Sequence, residues 1–234
     1  MTIFYQPEVQ QGIHELDQEE SRHCVKVLRK QEGDMIQIAD GRGYFYQARI
    51  TFANARQCKF EILHTEKIAA DPFRIHIAIS PTKNNERTEW FVEKAVEMGV
   101  HRISFLLCEN SERRVLKTDR LEKKVISAMK QAQQAYLPEI RPLLKFNELV
   151  KSTDEAEKFI AYLGEEPSPY LARAAKPGTS YLVLIGPEGD FSPEEVQTAL
   201  NAGFKPVSLG NSRLRTETAG IAACHTLQLV QLMS

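Results

Sequence analysis

From Arg74 onward, short apolar runs alternate with segments of helical pattern, and no other feature of the chain constrains its fold as much. "RIHIAIS" (74–80), "RISFLLC" (102–108), "KFIAYL" (158–163) and "SYLVLI" (180–185) each have the length and apolar content of a buried strand. "NERTEWFVEKAVEMG" (85–99), closed by Gly99, reads as a helix. So does "TDRLEKKVISAMKQAQQAY" (118–136), with Leu121, Val125, Ala128, Ala132 and Ala135 on one stripe. Strands alternating with helices predict an α/β fold: a mostly parallel sheet covered on both faces.

The first seventy residues follow a different pattern. "DMIQIAD", "YFYQARI" and "CKFEILHTE" read as strands, with Asp40-Gly41-Arg42-Gly43 as a turn between the first two. The segment "DQEESRHCVKVLRK" (17–30) reads as one helix, acidic in its first turn and basic in its last. On such a helix Arg22, Lys26 and Arg29, with Lys30 adjacent, share a basic face opposite Val25 and Leu28. These features predict a small β-barrel over residues 1–72, followed by the α/β domain over 73–234.

Charge and composition narrow the possible functions. The formal net charge of −1 excludes a global basic field, so any nucleic-acid surface must be local. No run is long and apolar enough to span a membrane, and "MTIFYQPEVQQG" has no signal-peptide pattern. The expected location is cytoplasmic. The four cysteines are scattered and the six histidines form no ligand motif, so no metal is expected.

In open α/β sheets ligands bind beyond the carboxyl ends of the strands, which directs attention to three loops. The first is "LGEEPSP" (163–169). The second is "GPEGDFSPEE" (186–195), in which Ser192, Pro193 and Glu195 form a helix start with a capping box. Its glycines and acids, with no lysine, suit a neutral or cationic ligand better than a polyphosphate. The third is "GNSRLRTET" (210–218), between a strand expected to stop at Leu209 and an apolar helix expected to start near Thr218. Thr216 or Thr218 is the expected cap. Two arginines at the positive end of a helix call for an anionic partner.

"LVLIGPEGDFSPEEV" followed by "VSLGNSRLRTETA" resembles the small-subunit ribosomal RNA uridine-N3 methyltransferases of the SPOUT, or α/β-knot, superfamily. "HCVKVLRKQEGDMIQIADGRGYFY" is similar to that family's PUA-like RNA-binding domain, and "KNNERTEWFVEKAVEMGV" to its first long methyltransferase-domain helix. The resemblance implies a C-terminal trefoil-knot domain, a homodimer, and S-adenosylmethionine as methyl donor with no metal. The implied substrate is small-subunit rRNA, free or in the assembled subunit.

The resemblance also assigns residues. The implied donor site is Leu163, Gly164, Gly186, Pro187, Glu188, Gly189, Leu209, Gly210, Leu214, Thr216, Thr218 and Ala219. The implied catalytic pair is Arg215 and Glu217, with Glu217 expected to position Arg215 or act as base. The implied RNA contacts are Arg22, Lys26, Arg29, Lys30, Arg42, Arg87, Arg113 and Arg114. Asp190 departs from the family, which commonly has a second glycine there. A knotted methyltransferase for another base or a ribose 2′-OH, or a non-catalytic RNA-binding assembly factor, are the alternatives.

Overall fold

The computed structural model describes residues 2–162, 164 and 167–233. It divides into two compact units, Met1–Ala70 with Ile126–Leu137, and Asp71–Val125 with Pro138–Ser234.

The first unit is a five-stranded sheet in the order β1-β3-β4-β5-β2, formed by β1 (Ile3–Tyr5), β2 (Glu15–Leu16), β3 (Met35–Ala39), β4 (Tyr44–Phe52) and β5 (Cys58–Lys67). Phe4, Ile36, Ile38, Ala48, Ile50 and Phe60 alternate inward to fill it. Gly41 and Gly43, with φ of 72° and 99°, make the turn after β3.

The helix expected over 17–30 is broken. Helix α1 covers Gln18–Arg22 only, capped by Asp17, whose carboxylate accepts the Glu20 N–H at 2.7 Å. The backbone then widens into one π-type turn over His23–Val27. Arg29, at φ 55°, closes it in the left-handed position, and the Lys30 N–H returns to the Cys24 carbonyl at 3.0 Å. Burial of Cys24, with Val25 and Leu28 against the same core, draws the segment inward. Arg22, Lys26 and Arg29 are all exposed, but they do not share one helical face.

The second unit is built on a six-stranded, wholly parallel sheet in the order β11-β9-β10-β6-β7-β8. Its strands are β6 (Arg74–Ile79), β7 (Arg102–Leu107), β8 (Glu139–Lys145), β9 (Glu157–Ala161), β10 (Ser180–Ile185) and β11 (Lys205–Val207). Its helices are α2 (Asn85–Glu97), α4 (Phe146–Lys151), α5 (Leu171–Ala174), α6 (Pro193–Asn201) and α7 (Thr216–Leu232); α3 (Asp119–Gln131) follows β7 in the chain. Strand β10 lies at the centre, in register with Ile75–Ile79 on one side and Glu157–Ala161 on the other. Covered on both faces, it is apolar throughout rather than alternating. Leu182 and Leu184 face a core shared with α4 and α6. On the other face the Tyr181 hydroxyl accepts from Gln231 of α7 at 2.8 Å.

Helix α3 stops at Gln131, short of the expected Tyr136. Gln133 turns to φ 55°, and the backbone of Ala135 and Leu137 bonds instead to Gly43 and Gly41 within the first unit. Strand β8 escaped the sequence reading because charges and Pro142 interrupt its apolar pattern. It is an edge strand, where proline is tolerated.

Near the amino ends of the strands lies a buried polar group, in which Arg102 also donates to Glu155 Oε1 at 3.3 Å and Glu155 Oε2 has no hydrogen-bond partner among the described residues. His76 Nδ1 lies 2.6 Å from Glu155 Oε1, and Nε2 lies 2.8 Å from Ser104 Oγ. The neutral tautomer that donates to the carboxylate and accepts from the hydroxyl satisfies both contacts. Burial holds the His76 pKa below its ordinary value, against the opposing pull of Glu155.

Helix α7 packs on α2, β6 and β10. It comes close at Gly220, where an added β-carbon would stand 2.5 Å from a ring carbon of buried Phe91 and 3.0 Å from Ile79 Cδ1. Replacing glycine with alanine inside a helix usually gains about 1 kcal/mol. An approach of 2.5 Å puts this overlap in the upper part of the cost of overpacking, about 1–3 kcal/mol, which outweighs that gain. Gly220→Ala is therefore expected to lower the thermal unfolding midpoint by roughly 2–6 °C. An unchanged or raised midpoint in a melting curve would contradict this packing.

Candidate functional site

Beyond the carboxyl ends of β9, β10 and β11 lies a cleft of about 430 Å³. Three chain segments build it. Ala161 ends β9 and Tyr162 follows it, Gly186, Pro187, Glu188 and Asp190 follow β10, and Ser208–Arg215 follow β11 and lead into α7. Ile185, Val207, Leu209, Leu214 and Ala219 give apolar wall. Arg87 from α2 and Glu217 from α7 complete the rim.

Of the expected donor-site residues, Gly186, Pro187, Glu188, Leu209, Gly210, Leu214, Thr216 and Ala219 line the cleft. Gly164, Gly189 and Thr218 stand outside the lining, and Leu163 falls outside the described residues. Tyr162, Ser208 and Ser212 line it without having been singled out, and Arg213, expected to meet an anionic partner, lines it as well. Their positions follow from loop path, which carries no residue-type signal.

The loop after β10 is locked from within. Asp190 N–H donates to Pro187 O at 3.0 Å, closing a turn, and Asp190 Oδ1 accepts the Phe191 N–H at 2.8 Å. Asp190 has φ 60°, a conformation that glycine adopts freely and aspartate tolerates. That geometry suits a glycine and permits the aspartate here. The capping box of α6 forms as expected, with Ser192 and Glu195 bonding reciprocally at 3.0 and 3.3 Å. Glu188 Oε1 accepts the Lys83 N–H at 3.1 Å, which ties the same loop to the chain after β6.

The loop into α7 differs from expectation in three respects. The strand stops at Val207 rather than Leu209, and the helix starts at Thr216 rather than near Thr218. Neither threonine caps it, because Arg215 occupies the N-cap position without a side-chain cap bond. The Thr216 hydroxyl instead donates to the Gly186 carbonyl at 3.1 Å, across the cleft floor, and Thr218 is exposed. Third, buried Glu217 stands beside Arg87, with Oε1 3.8 Å from Nε, and not beside Arg215. Arg215 is exposed and has no ion-pair partner among the described residues.

The other expected basic contacts divide by environment. Arg42 and Arg114 are exposed. Lys30 is half-buried and its ammonium donates to Met35 O at 3.3 Å. Arg113 holds backbone, donating through Nε to Thr82 O at 3.0 Å and through Nη2 to Lys83 O.

Comparison with known proteins matches this architecture. A family described as an RNA methyltransferase domain matches residues 69–228, and one described as an RNA methyltransferase PUA domain matches residues 16–63. The ribosomal RNA small subunit methyltransferase E of Buchnera aphidicola subsp. Schizaphis graminum is 32% identical, over 89% of this chain and 87% of the relative. The crystal structure of a probable rRNA-methyltransferase from Porphyromonas gingivalis is 44% identical with a TM-score of 0.93, covering 100% of this chain and 99% of that one. The ribosomal RNA small subunit methyltransferase E of Neisseria gonorrhoeae, bound to S-adenosyl methionine, is 29% identical with a TM-score of 0.88, covering 99% and 98%. Fold and cleft thus define an RNA methyltransferase with an N-terminal PUA domain. More narrowly, the chain belongs to the ribosomal RNA small subunit methyltransferase E family.

Thr216→Val removes the hydroxyl at nearly constant volume and leaves the Gly186 carbonyl without its donor. Leaving a buried polar group unpaired costs about 1–3 kcal/mol. Denaturant unfolding is expected to show a loss of that size, and a loss near zero would show that the bond carries no weight.

Proposed function

We propose that the cleft binds S-adenosylmethionine and that the protein methylates N3 of a uridine in small-subunit (16S) ribosomal RNA. The observation that carries this reading is the convergence of the loops after β9, β10 and β11 on one cleft, beside an exposed Arg215 that has no ion-pair partner among the described residues. The residues present fit such a donor. Ile185, Val207, Leu209, Leu214 and Ala219 offer apolar surface, and the glycines allow close backbone approach. Glu188 and Asp190 supply negative charge. When bound, S-adenosylmethionine supplies an electrophilic methyl group on a sulfonium cation.

The remaining work falls to this chain. Uridine N3 carries a proton and is a poor nucleophile until that proton is lost, which leaves charge on O2 and O4. Arg215, exposed at the cleft rim, stabilises that charge or a neighbouring phosphate. Glu217 is buried beside Arg87, and its role is to hold the Arg87 guanidinium toward the acceptor. N3 lies on the Watson–Crick edge, so the target base must be unpaired or flipped out. Alignment of N3 with the methyl contributes much of the rate.

We assign RNA contacts to Arg22, Lys26, Arg29, Lys30 and Arg42 in the first unit and, separately, to Arg87 and Arg114 in the second, where Arg113 shapes the loop that carries Arg114. Residues 1–72 form the RNA-binding domain and 73–234 the methyltransferase domain, a division supported by the two family matches. The protein acts as a homodimer in the cytoplasm. Leu229, Leu232 and Met233, 40%, 79% and 84% exposed near the end of α7, supply an apolar patch for a second copy. No described helix is long and apolar enough to cross a membrane.

The decisive experiment incubates small subunits lacking the modification with protein and S-adenosylmethionine, followed by nucleoside mapping. One added methyl on a uracil ring at N3 is expected; a ribose methyl or none would overturn the reading. In the same assay Glu217→Gln is expected to lower kcat by about tenfold, the scale of lost positioning. A fall of about a thousandfold would make Glu217 the base.

Replacing Arg22, Lys26 and Arg29 with alanine is expected to weaken RNA binding at all sequences. It should also flatten the salt dependence, by up to about 0.7–0.9 in log–log slope per lost phosphate contact. An unaltered slope in a salt titration would remove these residues from the RNA surface.

A further inference from the structure

The segment after β7 forms no part of the cleft wall, yet it grips the backbone behind that wall. The Asn110 amide Nδ2 donates to Gly189 O at 3.2 Å and to Asp190 O at 3.1 Å. One residue earlier, the Glu109 N–H donates to Glu195 Oε1 at 2.9 Å, while Glu195 Oε2 accepts the Ser192 N–H. One short stretch of chain thus holds the loop after β10 at Gly189 and Asp190 and the first turn of α6 at Glu195. Gly189 leaves the room this needs, since a β-carbon there would stand 3.2 Å from Asn110 Cβ. Asp190 sits at φ 60°, a region that aspartate tolerates, and the two carbonyls that Asn110 holds flank its α-carbon.

We infer that Asn110 is a positioning residue for the methyl donor. Its amide fixes the carbonyls of Gly189 and Asp190, and through them the direction in which Pro187, Glu188 and the Asp190 carboxylate face the cleft. Asn110 is exposed and both its bonds lie at the surface, so water replaces them when they are lost. Their effect therefore falls on the shape of the loop more than on the stability of the fold. The inference rests on the reading of the cleft as the donor site.

Two variants test it. Asn110→Asp keeps the shape of the side chain but turns an oxygen toward the two carbonyls in place of the amide. Asn110→Ala removes the contact altogether. Calorimetry with S-adenosylmethionine is expected to show Kd raised about tenfold for Asn110→Asp and about threefold or more for Asn110→Ala. The KM for the RNA substrate and the thermal midpoint should match the unaltered protein. Donor affinity within about twofold of the unaltered protein in both variants would overturn the inference. So would parallel losses in donor affinity, RNA KM and melting temperature, because those mark general unfolding. Failure of the unaltered protein to bind S-adenosylmethionine would overturn the reading of the cleft itself, a separate result.

Discussion

The bond from the Thr216 hydroxyl to the Gly186 carbonyl is the contact on which the rest of the cleft depends. It joins the first turn of α7 to the point where the chain leaves the central strand. Two elements that are distant in sequence are thereby fixed at the floor of one cavity. The bond can form only if α7 lies close against the sheet, which Gly220 permits by leaving room for Phe91 and Ile79. The apolar character of α7 and the polar character of its first turn therefore serve the same geometry. The helix body anchors, and the exposed turn presents Arg215 while keeping Glu217 under cover.

The basic residues around the methyltransferase cleft are less alike than their shared charge suggests. Arg87 is held by a buried carboxylate, Arg113 by two backbone carbonyls, and Arg215 stands without an ionic partner among the described residues. The Arg113 guanidinium, hydrogen-bonded to backbone, shapes the protein; Arg87, whose ion pair at 3.8 Å is longer than a hydrogen bond, and Arg215 keep donors available to an anion. That difference depends on where each side chain reaches, and residue identity alone does not carry it.

The parallel sheet was legible because its central strands are buried on both faces and so leave long apolar runs such as "SYLVLI". The start of α6 was legible because capping is local chemistry within four residues. Where the reading failed, a distant contact outweighed local preference. Thr216 has a good capping side chain, but a carbonyl thirty positions away takes its hydroxyl. The segment after Gln131 has helical composition, but the turn at Gly41–Gly43 recruits its backbone. The pattern of Arg22, Lys26 and Arg29 presumes an ideal helix, and the burial of Cys24 widens the real one. Tyr162 and Asn110 had no local mark at all; only the folded chain brings them to the cleft or its supports.

The polar group at the other end of the sheet bears on how such sites are recognised. Ser104, His76 and Glu155 stand in hydroxyl–imidazole–carboxylate order at 2.8 and 2.6 Å, the spacing that activates a serine nucleophile in hydrolases. Yet Ser104 has no exposed surface, and no acyl group can approach its oxygen. A search of this fold by side-chain geometry alone would select an esterase-like constellation that never meets a substrate. Access separates the two ends of the sheet: at the amino ends hydroxyl, imidazole and one carboxylate oxygen bond one another out of reach of solvent while Glu155 Oε2 is buried without a partner among the described residues, and at the carboxyl ends the polar groups face an open cleft.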